Sequence, residues 1–173
     1  YVVDFTDHLL GRQAFDSRLA ISPPRYLVRH SYNQGLPQLL QHQLYREVLF
    51  QAEKKRQSFA RQQITLDSLS NALQLITPIG QAITEWNITL CDACKRSPYH
   101  GILGGLYAAN FWLEQYQAFV RGEIDLRCIN HFATLATGNN FLHLFHYDGP
   151  NNIDITTPAH ATLMVNQVVG QQF

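Results

Sequence analysis

Charge is what this chain has least of. Asp, Glu, Lys and Arg together make up 15% of its 173 residues, against roughly 25% in average soluble proteins. The signs balance, with 13 basic and 13 acidic residues and a pI of about 7.2. That excludes a whole-domain attraction for nucleic acid or an anionic membrane and leaves only a local patch. No apolar run approaches the roughly 18 to 20 residues that a membrane-spanning helix needs. Tyr1 to Asp7 shows neither the basic start nor the apolar stretch of a signal peptide. Cysteine is scarce as well. Three cysteines cannot all pair, which argues against a secreted disulfide framework and for a reducing, intracellular compartment. The Asn87-Ile-Thr89 sequon fits that setting poorly, since a glycan there would crowd the nearby cysteine turn. The familiar enzyme words are missing too: no phosphate loop, no Gly-x-Gly-x-x-Gly, no Gly-x-Ser-x-Gly elbow and no His-Glu-x-x-His.

What remains is apolar and amide-rich. Hydrophobic residues reach 46% and aromatics 12%, enough for one packed core in a chain of this length. A surface short of charge is poorly defended against association. Together with the aromatics Tyr26, Tyr32 and Phe173, it points to a protein partner covering part of the molecule.

Helical patterns dominate the reading. Leu9, Leu10, Phe15 and Leu19 follow a cap at Thr6-Asp7, and the segment stops at Pro23-Pro24. Gly35-Leu36-Pro37 opens a second helix, whose stripe through Leu36, Leu40, Leu44 and Val48 carries it to about Arg61. A third starts at Thr65 or Asp67 and is bent or ended by Pro78 and Gly80 before Ala82 to Trp86. Residues 103–121 make a largely buried aromatic helix closed by Gly122. Asp125 starts a short helix through Cys128, His131 and Leu135, ending at Gly138-Asn139. Phe141 to Tyr147 suits a strand or a helical turn. Residues 148–152 form a loop, and Thr157-Pro158 opens a last helix to Val169. Gly104-Gly105 reads as a close helix approach or a kink.

The sharpest local signal is a pair of words separated by 33 residues: Cys91-Asp-Ala-Cys94 and Cys128-Ile-Asn-His131. Two-residue spacing lets a tight turn aim two side chains at one ion, and three thiolates with an imidazole form a closed structural zinc set. Lys95 and Arg96 would favour the thiolate form. His100 competes with His131 for the fourth position. The intervening helix is roughly 28 Å long, so one flank must fold back for the words to meet. The arrangement resembles the zinc element of TniQ-type transposition-targeting proteins, where a Cys-x-x-Cys precedes a Cys-x-x-His. The likeness covers a few residues around 90–131. The gap differs here, and no function is carried over.

Two further constellations stand beside it. Lys54, Lys55, Arg56 and Arg61, extended by Arg25 and Arg29 or joined by Lys95 and Arg96, form the local patch available to nucleic acid. His143, His146 and Asp148 supply two imidazoles and a carboxylate for a metal-dependent enzyme or for acid–base chemistry, with His42 and His160 scattered elsewhere. The expectation is therefore a mainly α fold: one compact helical domain over 1–173, with a zinc-binding segment at 88–135 and at most a short strand near 141–147. The expected role is a zinc-stabilised adaptor or subunit that binds other proteins. A nucleic-acid factor using the basic patch and an enzyme around His143 and His146 are the alternatives.

Overall fold

A computed structural model describes residues 24–33, 41–88, 98–132, 134–137, 142–147, 149–150 and 152–168. Along the chain run β1 (Tyr26–Asn33), α1 (Gln41–Ala72), β2 (Gly80–Ile88), α2 (Pro98–Val120) and β3 (Leu126–His131). Then follow β4 (Leu135–Thr137), β5 (Phe145–Tyr147), β6 (Ile153–Ile155) and α3 (Thr157–Val168). β1, β2 and β3 form one sheet in that order, and both pairings are parallel. Each parallel connection is made by a long helix, so the segment is two consecutive β-α-β units. A second small sheet joins β4 to β5 in parallel and β5 to β6 antiparallel.

The all-helical expectation is overturned. Residues 82–86, where no strand is expected, and 128–131, expected as part of a short helix, are strands of a parallel sheet. The physical reason is burial on both faces. β2 is buried along almost its whole length, so its sequence lacks the alternation that marks a half-exposed strand. A short apolar run of that kind cannot be told from a buried helical turn by periodicity. The two helices expected on either side of residue 61 are one, 32 residues long. Its buried stripe runs unbroken through Val48, Ala52, Phe59, Gln63, Leu66 and Ser70, with Thr65 and Asp67 on the wet side. The expected first helix, residues 7–19, lies outside the described residues. The aromatic helix and the last helix stand where the sequence places them, and of the two readings open for Phe141 to Tyr147 residues 145–147 take the strand.

Both crossover helices cover one face of the sheet. Val48, Ala52 and Phe59 of α1 share a core with Ile83, Trp86 and Ile88 of β2 and with Leu103, Tyr107 and Phe111 of α2. Trp86 is the hub. It stacks on Phe111 at 4.3 Å between ring centroids and meets Trp112 and His131 edge-on at 5.6 and 4.7 Å. Buried amides tie the amino ends of the strands. Gln81 Nε2 donates to Phe59 O and to Gln63 Oε1, which also accepts from Asp125 N at the entry to β3. Arg56 fastens the helices together by donating to Glu114 at 2.7 Å and Glu123 at 2.8 Å. These two bonds hold its guanidinium above its ordinary range, outweighing the burial that lowers it.

Gly104 and Gly105 make a close approach, not a break, because α2 is continuous through them. A Cβ on Gly105 would sit 3.0 Å from the backbone carbon of Thr157, at the start of α3, whereas one on Gly104 would meet the movable Cδ2 of Leu142 at 2.8 Å. Gly105→Ala should therefore lose about 1–3 kcal/mol of stability from overpacking, even against the roughly 1 kcal/mol that alanine gains in a helix. Gly104→Ala should stay within about 1 kcal/mol of the parent. Urea unfolding of the two variants checks the order, and an unchanged Gly105→Ala midpoint would show that α3 does not pack here.

Candidate active site at the carboxyl end of the parallel sheet

Parallel β-α-β sheets present their binding groups where the strands end, because loops and helix starts converge there. Strand pleating decides which side chains reach the face that the helices leave uncovered. In β1, Leu27 packs with Leu66 and Ile79, and the Arg29 guanidinium lies 5.1 Å from the Phe59 ring of α1. His30 and Tyr32 must then point to the opposite face.

β2 reaches that face by a bulge. Arg29 pairs with Ile83 but His30 pairs with Glu85, and on the other side Ile83 pairs with Ile129 but Trp86 with His131. Thr84 is thus an extra residue opposed on neither side. The insertion lets Ile83 and Trp86, three apart, both enter the helix-side core, and it turns Glu85 to the face shared by His30 and Tyr32. Bulges of this kind re-aim a side chain.

The result is a carboxylate with two partners. Tyr32 Oη donates to Glu85 Oε2 at 2.6 Å, and His30 Nδ1 lies 3.4 Å from the same oxygen. Both contacts fall on Oε2, so Oε1 carries neither. The Glu85 side chain is 31% exposed and His30 43%, which leaves the group open to a ligand. Lys55 of α1 donates to the Tyr32 carbonyl at 3.2 Å and steadies the end of β1. Burial, then the hydrogen bond and charge of Glu85, push the Tyr32 phenol well above the ordinary tyrosine range. A raised folded-state pKa gives stability that is fully present below the unfolded value of about 10. That stability is lost as pH climbs above it. In an ultraviolet titration, Tyr32→Phe should leave the phenolate absorbance at pH 10–11 unchanged, because Tyr32 is still protonated there. Loss of one tyrosine's amplitude in that range would contradict the bond.

Sequence reasoning missed Glu85 altogether. With no strand expected at residues 82–86, nothing sets Glu85 beside β1, and Tyr32 counts among the exposed partner-binding aromatics. Its environment is a hydrogen bond to Glu85. The available signal was β-branched and aromatic enrichment in Ile79-Gly-Gln-Ala-Ile-Thr-Glu-Trp86, preceded by a long helix and an equally strand-like 26–33.

The structure disperses the other candidates. Cys128 and His131 belong to a strand, not a turn, and at odd separation they point to opposite faces. His131 goes to the Trp86 ring. Burial pushes the Cys128 thiol up. Among the described residues no group of three or more His, Cys, Asp or Glu side chains is placed to hold a metal ion, which overturns the metal-binding reading there. Cys91, Cys94, Lys95 and Arg96 lie outside the described residues, and nothing is described of the His100 side chain. In the basic run, Arg56 is engaged by two glutamates, Lys54 sits 3.5 Å from Glu47 and 4.5 Å from the Phe50 ring, and Lys55 serves Tyr32. Arg61 remains exposed. His143 lies in the turn before β5, with its ring 6.4 Å from Phe132. His146 is buried in β5, paired in register with Asp154 and 3.8 Å from its carboxylate. Asp148 lies outside the described residues. No helix among the described residues is long and apolar enough to cross a membrane.

No protein-family model matches this chain, and no curated protein matches it. Among solved structures it is similar to the crystal structure of an alpha-L-arabinofuranosidase from Thermotoga maritima in complex with arabinose. The TM-score is 0.60 at 16% identity, over 95% of this chain and 31% of that one. At that identity the likeness is one of fold. It agrees with the α/β architecture, and the chain spans less than a third of the length of the structure it matches.

Proposed function

We propose that the carboxyl end of the β1-β2-β3 sheet belongs to a glycoside-hydrolysing site in which Glu85 is the carboxylate that attacks the sugar. One observation carries this reading: the 2.6 Å hydrogen bond from Tyr32 to Glu85 at the open end of a parallel sheet. A carboxylate accepting from a phenol on one oxygen presents the other as an oriented anion. Glu85 Oε1 would form the bond to the anomeric carbon as the glycosidic C–O bond breaks. The departing oxygen then takes a proton from a second carboxylic acid, and water later cleaves the glycosyl ester. Among the described residues Glu85 is the one carboxylate in that cluster. The fold it shares with an arabinofuranosidase supports the sugar as substrate class.

A panel of 4-nitrophenyl glycosides, led by the α-L-arabinofuranoside, tests the proposal on the protein that carries this chain. Nitrophenol release by the parent and none above background by Glu85→Gln is expected. Equal rates for the two, or no hydrolysis by the parent, would overturn it.

A second reading, that of a protein-binding subunit, keeps one specific support. Ile153 and Ile155 of β6 and Leu163 and Met164 of α3 are all at least half exposed. Apolar side chains on neighbouring elements suit a partner surface. Concentration-dependent association in sedimentation, abolished by Leu163→Glu with Met164→Glu, is the corresponding test.

A further inference from the structure

Phe132, directly after β3, is a large apolar ring left 46% exposed, yet its backbone is held on both sides. Its N–H donates to Trp86 O at 3.0 Å, and its carbonyl accepts from Asn87 Nδ2 at 2.6 Å. Those two partners are the residues that follow Glu85. Asn87 is itself fixed, since its Oδ1 accepts from Ile88 N at 2.7 Å and its Nδ2 also donates to Leu142 O at 2.9 Å. The Phe132 ring meets the Tyr32 ring edge-on at 6.1 Å between centroids, and Tyr32 is the donor to Glu85. The Phe132 ring also lies 6.4 Å from the His143 ring between centroids. Here the anchoring fixes an apolar face one ring away from the candidate nucleophile.

We infer that Phe132 is the stacking wall of the substrate site, taking the C–H face of the sugar ring whose anomeric carbon Glu85 attacks. The inference rests on the glycoside reading and specifies which surface the sugar lies against. Sugar rings expose a patch of C–H groups that is weakly hydrated, and a flat aromatic face removes it from water without needing a polar partner. Asn87 then acts as a positioning residue, holding the wall and Leu142 of the next loop at a fixed distance from β2.

Steady-state kinetics on methyl and 4-nitrophenyl glycosides of the same sugar test this with Phe132→Ala, Phe132→Trp and Glu85→Gln. Phe132→Ala should raise KM about tenfold for both substrates, with kcat within about threefold, and Phe132→Trp should restore the parental KM. An unchanged KM in Phe132→Ala would overturn the wall while leaving the glycoside reading intact. So would a rise confined to the nitrophenyl substrate, since the ring would then be touching an artificial leaving group. Activity surviving in Glu85→Gln would remove the underlying reading and the wall with it. Phe132→Leu keeps apolar bulk without a flat face, so it separates stacking from packing: it should bind as weakly as the alanine variant.

Discussion

Deletion of Thr84 is expected to leave little folded protein, whereas Thr84→Ala should unfold within about 1 kcal/mol of the parent. The contrast follows from what the residue does. Its hydroxyl makes one long bond, 3.5 Å to Arg29 O, and losing that costs little. Its backbone is the insertion that puts Ile83 and Trp86 on the helix side and Glu85 on the other. Without it the strand must slip by one residue, and a one-residue slip exchanges faces. Trp86, fully buried and stacked on Phe111, would leave the core while a carboxylate entered it. Removing a buried tryptophan alone costs about 3–5 kcal/mol, and an unpaired buried charge adds to that. Circular dichroism and thermal unfolding of the two variants provide the check. A deletion variant as stable as the parent would show that β2 has no functional bulge.

Glu85→Ala should lower turnover of aryl glycosides by about 10³-fold or more, and azide should return part of the lost rate. Alanine removes the attacking oxygen and opens a space where it stood. A small anion entering that space can attack the anomeric carbon itself, giving a glycosyl azide of inverted configuration relative to the product of the normal double displacement. The fold should survive, because the Glu85 side chain is 31% exposed and the main loss is the bond from Tyr32, about 1 kcal/mol. Unfolding midpoints of Glu85→Ala and the parent should therefore lie close together. An equally inactive variant with no azide response and an unchanged fold would place the attacking group elsewhere.

The sequence shows the long helices most clearly, and the reasons are local. α2 has 23 residues, is dense in aromatics and ends before Gly122, whose φ of +70° suits glycine. α3 starts beside Pro158, and the loop before it is rich in Gly, Pro and Asn. The strands are obscure for the opposite reason: their order comes from partners far away in the chain. β2 pairs with β1 and β3 across α1 and α2, so its own β-branched and aromatic residues hint at a strand but do not name its neighbours. Of the two cysteine words, Cys128-Ile-Asn-His131 is extended rather than a turn, whereas Cys91-Asp-Ala-Cys94 lies outside the described residues. The site was illegible because it is made by register. His30, Tyr32 and Glu85 come from two strands joined by a 32-residue helix, and only the bulge at Thr84 turns the third toward the other two.

The account stands or falls on Glu85 Oε1 as the atom that bonds to the sugar. A 2-deoxy-2-fluoro glycoside with a good leaving group slows hydrolysis of the glycosyl ester, so the protein that carries this chain can be digested and its peptides weighed. The peptide containing Glu85 should carry the mass of one fluorosugar, and Glu85→Gln should carry none. A label found on another carboxylate, with the Glu85 peptide unmodified, would contradict the account.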